Sequence, residues 1–360
     1  MPHLGISPRQ VRRGKPRQRK DGEREGKEMS FVYVTEHGCT LGVDGGLLII
    51  RHTDGSEEFI PKELVEGISI FGRSNMTNSC MKYCLENDIK VGFFNASGKY
   101  YGALNPVPSL SLERVKKQLQ CTENEKFSLE MAKKLIRAKV NNQLVVAKRY
   151  VRGKEISVKE ELFPIRNARR KIPYVETKSI LLGYEGSSSR CYFSVLGKII
   201  NPDFLYIKRT RRPATDPFNA MLNVGYSLLL KEICGQLENR GLLCCAGFLH
   251  TGHDKIPALA CDMMEEWRSV IVDAAVLSLI QGNEVDISMF ECTESSCRLN
   301  KMAMKKLLAK LEKKMYTESQ YLSYISSPMT FRQALWHQAN RMAKAIEAQN
   351  VDLYCPVILR

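Results

Sequence analysis

The segment LACDMMEEWRSVIVDAAVLSLI, Leu259 to Ile280, is the most apolar helix-like stretch of the chain, yet its first turns carry Asp262, Glu265 and Glu266. At about 100° per residue, Glu265, Ser269, Asp262, Asp273 and Glu266 fall on one arc of roughly 100°. Met263, Met264, Trp267, Val270, Ile271, Val272, Leu277 and Leu279 spread over most of the remaining circumference, the pattern of a helix packed on nearly every side. Acids in a first turn complement the positive helix end and face water. The sharper alternative is a cleft that holds a cation.

The 360-residue chain has room for the core such a helix needs, and for two domains. A hydrophobic content of 44%, with no apolar run approaching the roughly 18 residues of a membrane span, predicts a soluble protein with no membrane partner. The start, MPHLGISPRQVRRGKPRQRKDGEREGKE, lacks the apolar centre of a secretory signal and reads as a disordered basic tail over 1–28. It holds nine Lys/Arg and four Asp/Glu, a net +5, so the formal +15 still leaves +10 for residues 29–360. That excess favours a polyanionic partner, nucleic acid ahead of an acidic membrane surface. Twelve cysteines without a secretory signal predict reduced thiols in a cytoplasm rather than a disulfide framework. Cys80 and Cys84, the adjacent Cys244 and Cys245, and Cys292 and Cys297 do not make the paired short spacings of a structural zinc site, which is therefore not expected.

From about Phe31 to Leu104 the runs FVYV, CTLGV, LLIIR, EFIP, EGISIFG, KVGFF and KYYGAL read as short strands, interrupted by one helix near 76–87. They predict a small antiparallel β domain over 29–104. NPVPSLS, residues 105–111, is the candidate linker. Beyond it, residues 112–360 read as an all-α domain, with helices near 112–121, 125–152, 157–171, 175–197, 217–238, 259–280, 300–315 and 331–348. Asp216-Pro217 is a helix start, with Asp as N-cap and Pro at the first position. The fold class is therefore α+β.

Three features of the helical domain carry chemistry. In LLGYEGSSSRCYF, Glu185 precedes Gly186 and three serines, poor helix formers whose compensation would be room for a close neighbour. In GFLHTGHDK, His250 follows an apolar run and is a better ligand candidate than His253 in the loop. On the acidic arc, Asp262 shares a helix face with both Glu265 and Glu266, and angle alone does not choose between them. A carboxylate, an imidazole and a carboxylate pair can hold a divalent cation, Mn2+ or Mg2+. Such an ion polarises a phosphoryl oxygen and activates an attacking hydroxyl or water.

The blocks GYEG, RRPATDPFNAMLNVGYSLL, GFLH and LACDMMEEWRSVIVD, in this order, resemble the helical domain of the CRISPR-associated integrase and endonuclease family that inserts new spacers into CRISPR arrays. VYVTEHGCTLGV, IPKELVEGISIFG and IKVGFFNASGKYYGAL are similar to that family's N-terminal domain, so the resemblance runs over nearly the whole chain from Met29. The serines after Gly186 depart from the small apolar residues more usual there. The resemblance implies that Glu185, His250 and Glu265 are catalytic metal ligands, with Asp262 a further ligand or a group beside the site. It also implies a homodimer through the β domain, a complex with a small ferredoxin-like partner, and a prokaryotic, cytoplasmic setting. The reaction it implies is attack of a prespacer 3′-hydroxyl on a repeat phosphodiester in double-stranded DNA. Two rivals are a structure-selective repair nuclease using the same site and a non-catalytic DNA-binding subunit.

Lys208, Arg209, Arg211 and Arg212 place four cations in five positions before the Asp216 helix and are the candidate DNA contacts. The lysines and arginines of 133–152 and 301–314 read instead as solvated helix faces. No base-reading motif is present, so affinity is expected from backbone and shape.

Overall fold

The computed structural model describes residues 30–106, 111–211, 213–250 and 256–359. The expected basic tail, part of the expected linker, Arg212 and His253 lie outside these residues. The chain divides into two compact units, residues 1–107 and 108–360.

The first unit contains β1 (Ser30–Val34), β2 (Thr40–Asp44), β3 (Leu47–Arg51), β4 (Glu57–Pro61), β5 (Val65–Phe71), β6 (Asn75–Met76), α1 (Asn78–Glu86), β7 (Lys90–Phe94) and β8 (Tyr100–Leu104). The strands predicted from β-branched and aromatic runs all form. Their directions correct the antiparallel expectation. One sheet, in the order β1-β5-β7-β8, pairs β1 with β5 and β5 with β7 in parallel, and only β8 runs antiparallel. The other, β4-β3-β2-β6, is antiparallel except for the short β2–β6 pair. Direction depends on how the connections cross over, which strand periodicity does not encode. Gly45 and Gly46, both at positive φ, form the two-residue turn between β2 and β3, a geometry that matches strand twist and that side chains resist. Leu41, Leu48 and Ile50 of one sheet pack with Val32, Ile68, Ile70 and Val91 of the other and with Cys80 and Cys84 of α1.

The second unit contains α2 (Leu112–Glu123), α3 (Glu125–Val151), α4 (Lys159–Lys171), α5 (Lys178–Ile199), α6 (Pro217–Glu238), α7 (Ala258–Trp267), a π-helical turn at Arg268–Asp273, α8 (Ala274–Gln281), the hairpin β9 (Phe290–Cys292) and β10 (Cys297–Leu299), α9 (Lys301–Tyr316) and α10 (Phe331–Glu347). The α+β class holds, with one small hairpin in the otherwise helical part. Cys292 and Cys297 face each other on that hairpin and are disulfide-bonded, contrary to the expectation of reduced thiols; the other ten cysteines are thiols. No helix among the described residues is long and apolar enough to cross a membrane.

Helix α3 is central to this unit. Asn124 terminates α2 and caps α3, its side chain accepting from Phe127 N at 2.9 Å. Of the cations expected on its solvated face, Lys134 donates to the carbonyls of Val351 and Tyr354, and Lys139 is buried. Asp216 caps α6 as expected, accepting from Asn219 N at 2.8 Å with Pro217 at the first position. Helix α5 runs unbroken through the glycine and serines. A Cβ on Gly186 would meet nothing within 4 Å, so no close neighbour explains that glycine. The serine hydroxyls instead bond locally, Ser187 to the Tyr184 carbonyl and Ser189 to Glu185 Oε1, both at 3.1 Å.

Candidate active site

Residues 259–280 do not form one regular helix. The π turn shifts the register after Trp267, and Asp273 leaves the predicted acidic arc. It is buried and accepts from the hydroxyls of Tyr192 at 2.9 Å and Tyr226 at 2.5 Å. Burial pushes its carboxyl up to about 6 despite these bonds.

The three acids of α7 have three different surroundings. Asp262 is fully buried, and both its oxygens are filled. Oδ2 accepts from Phe248 N at 2.6 Å and Leu249 N at 2.9 Å; Oδ1 accepts from His250 N at 3.0 Å and lies 2.6 Å from His250 Nδ1. This arrangement fixes the His250 ring and directs Nε2 as the nitrogen left for a ligand. The hydrogen bond to Asp262 also raises the pKa of His250, against the effect of burial. Of the two roles expected for Asp262, this geometry supports holding the histidine rather than ligating directly.

Gly247 makes that geometry accessible. A Cβ there would lie 2.7 Å from the Ala258 carbonyl carbon and 2.8 Å from Asp262 Oδ2. Gly247→Ala is expected to lower stability by about 1–3 kcal/mol through overpacking, read as a reduced midpoint in denaturant.

Glu265 and Glu266 point to different partners. Glu266 accepts from the Tyr354 hydroxyl, from Gln338 Nε2 at 2.8 Å and from Val357 N at 2.6 Å, and burial pushes it up to about 7. It anchors the C-terminal segment, a task that Asn142 shares by donating to the Val357 carbonyl and accepting from Leu359 N. Glu265 sits among cations. Burial alone would raise its pKa, but Arg268 and then Lys139 outweigh it and hold the carboxyl at about 2. Arg268 Nε lies 3.1 Å from Oε1, and its guanidinium packs on the Tyr226 ring, which is held by Asp273.

Lys139 joins the predicted segments. Its ammonium lies between Glu265 Oε2, at 2.6 Å, and Glu185 Oε1. The 2.6 Å contact is an ion pair without hydrogen-bond geometry, so Glu265 Oε2 is a buried oxygen with a close cation and no directed donor. Glu185 and Glu265, 80 residues apart in the chain, thus converge on one positive charge, and the His250 imidazole acts electrostatically on Glu265. The donor set fits a divalent cation: two carboxylates gathered around a positive charge, and an imidazole preset by Asp262. With the ammonium between the carboxylates, the three ligand groups stand wider apart than around a bound ion. Among the described residues, Glu36, Cys39 and His52 are the one group of three whose ligand atoms all lie within 4.8 Å of one another.

The structure divides the four expected DNA contacts. Lys208 and Arg211 are exposed. Arg209 is turned inward, donating to Asn219 Oδ1 at 2.8 Å and Asn223 Oδ1 at 2.7 Å, with its guanidinium 5.3 Å from the Tyr226 ring centre. It fastens the segment to α6, and the exposed cations are displayed from that support. Lys139, Arg268 and the Tyr226–Asp273 pair were missed from sequence; Lys139 stood among cations that read as a solvated helix face.

The chain is thus α+β, with a helical unit that brings Glu185 and Glu265 to one buried lysine and holds His250 on Asp262. Residues 32–313 match the family described as CRISPR associated protein Cas1, and the chain belongs to that family. A CRISPR-associated endonuclease Cas1 of Thermus thermophilus is 30% identical over 321 residues, 89% of this chain and 94% of that one. Among solved structures, a casposase bound to integration product superposes with a TM-score of 0.79 at 25% identity, over 89% of this chain and 92% of that one. A Cas6-RT-Cas1–Cas2 complex also gives a TM-score of 0.79, at 23% identity, over 95% of this chain and 37% of the longer chain.

Proposed function

We propose that this protein is a metal-dependent DNA endonuclease and integrase of CRISPR spacer acquisition, joining a prespacer 3′-hydroxyl to a repeat phosphodiester. The convergence of Glu185 and Glu265 on the Lys139 ammonium carries this reading, because it marks a place built for positive charge. Glu185, Glu265 and His250 Nε2 would hold Mg2+ or Mn2+, and Asp262 would keep the imidazole in position. When bound, the ion polarises the phosphodiester and lowers the barrier to hydroxyl attack. Lys139 holds the two carboxylates at a common centre, and its ammonium would have to move aside for an ion to bind there. Arg268, braced by Tyr226, balances the charge of Glu265 and limits its reach. Neither a nucleophilic side chain nor a covalent intermediate is required, since the incoming DNA supplies the hydroxyl.

Double-stranded prespacer and repeat DNA as substrates are supported by the integration product in the casposase structure and by the endonuclease names of the relatives. A hetero-complex is supported by the Cas6-RT-Cas1–Cas2 complex, and a small ferredoxin-like partner in it follows from the resemblance. A homodimer through the β unit follows from the resemblance, as does a prokaryotic cytoplasmic setting. The repair-nuclease and non-catalytic alternatives gain no support from these relatives. An integration assay on supercoiled plasmid carrying a repeat, with and without Mn2+, Mg2+ and the small partner, tests the reading; no integration under any of these conditions would overturn it.

Lys208 and Arg211 would contact phosphates while Arg209 supports them. Replacing Lys208 and Arg211 together is expected to weaken DNA binding and reduce the slope of log affinity against log salt by about 1.8, near 0.9 per phosphate contact. Arg209→Ala should instead lower thermal stability, which separates the two roles.

A further inference from the structure

The N-terminal unit contains a cluster that the integration reaction does not use. Cys39 directly precedes β2 and His52 directly follows β3, and the antiparallel register ends with Thr40 opposite Arg51. Continuing it by one residue sets Cys39 against His52, and the turn after β1 brings in Glu36. His52 Nδ1 lies 3.3 Å from Glu36 Oε2 and 3.6 Å from Cys39 Sγ, and the three ligand atoms all lie within 4.8 Å of one another.

A tetrahedral zinc ion with bonds of about 2.0 Å to nitrogen and oxygen and 2.3 Å to sulfur separates its ligands by roughly 3.3–3.5 Å. Two of the three edges therefore already have the spacing of an occupied site. On the far side of the ring, His52 Nε2 faces Glu58 Oε1 at 3.6 Å, beyond hydrogen-bond distance, so that a carboxylate stands behind the imidazole and would orient it on closing that gap. Cys39 is fully buried, His52 is nearly so, and Glu36 reaches the surface, giving an ion a route of entry.

We propose that Glu36, Cys39 and His52 form a second metal site, which takes zinc or a similar borderline transition ion through one oxygen, one sulfur and one imidazole nitrogen. The thiolate sets it apart from the magnesium or manganese site proposed in the helical unit, because hard ions prefer oxygen. Binding releases the Cys39 thiol proton to solvent and ties the turn after β1 to the end of β3. The fourth position is left for water or another donor.

Cobalt can probe this site in the full-length, reduced protein after chelator treatment, since thiolate bound to Co2+ gives a charge-transfer absorption that carboxylates and imidazoles do not. One equivalent of Co2+ should produce the band, and Zn2+ should bleach it. Cys39→Ser should lose the band, while Glu185→Gln should keep it, so the result does not depend on the proposed catalytic site. Glu58→Gln should weaken binding about 10- to 100-fold by removing the group behind the histidine, and Glu36→Gln at least about tenfold. Absence of the band in the wild type, or its persistence in Cys39→Ser, overturns the proposal. If Cys39→Ser does not fold, the partly exposed Glu36→Gln decides: unchanged affinity overturns the site.

Discussion

Glu185→Ala or His250→Ala should reduce strand transfer by a factor on the order of 100 or more, the scale on which single groups that stabilise transition-state charge act. DNA binding should largely survive, because neither residue belongs to the exposed basic segment. The measurement is integration into repeat-bearing plasmid beside a DNA-binding isotherm for each variant. Glu185 lies on α5, with its carboxylate against Lys139 and Ser189, and His250 is held by Asp262, so each substitution removes a donor from the proposed centre. Unchanged transfer in either variant would falsify the site assignment. A parallel loss of DNA binding would place the residue in the interface instead.

The second large effect concerns Lys139, for which Lys139→Met is the informative substitution. In the metal-free protein this change leaves Glu185 and Glu265 facing each other with their shared counter-charge removed. Breaking a buried ion pair from one side costs about 3 kcal/mol or more. At roughly 2–4 °C per kcal/mol, the melting temperature should fall by about 6–12 °C. Adding Mn2+ should recover much of this loss in Lys139→Met and raise the wild type less, because an ion at the proposed centre would there have to displace the ammonium. Thermal unfolding with and without Mn2+ reads both effects. A variant as stable as the wild type without metal would show that Lys139 does not balance the two carboxylates.

The three acids of α7 show how much of the site was legible. Sequence periodicity brought Asp262, Glu265 and Glu266 to one region of one helix but could not distinguish them. In the folded chain, Asp262 bonds the 248–250 loop, Glu265 faces Lys139 and Arg268, and Glu266 holds the C-terminal segment. The partners of Glu265 and Glu266 come from distant parts of the sequence, Arg268 excepted, while those of Asp262 lie across the preceding loop. Arg209 is similar: it stood in a basic run, but two asparagines of α6 and the Tyr226 ring draw it inward. The Glu36, Cys39 and His52 cluster was invisible for another reason. Zinc sites are sought through paired cysteines, and this one uses a single cysteine brought to a histidine by strand register.

Local physics determined what could be read without coordinates. Period-two and period-3.6 patterns and the Asp216-Pro217 cap act between near neighbours, so most strands and helices and the α+β class were already written in the chain. The ordered blocks around Glu185, His250 and Glu265 likewise pointed to the family. Tertiary structure alone decided the parallel pairing of β1, β5 and β7, the π turn that withdraws Asp273, and the placing of Lys139 between two glutamates. These depend on contacts between residues far apart in sequence, where burial and opposing charge select one partner from many that local pattern allows.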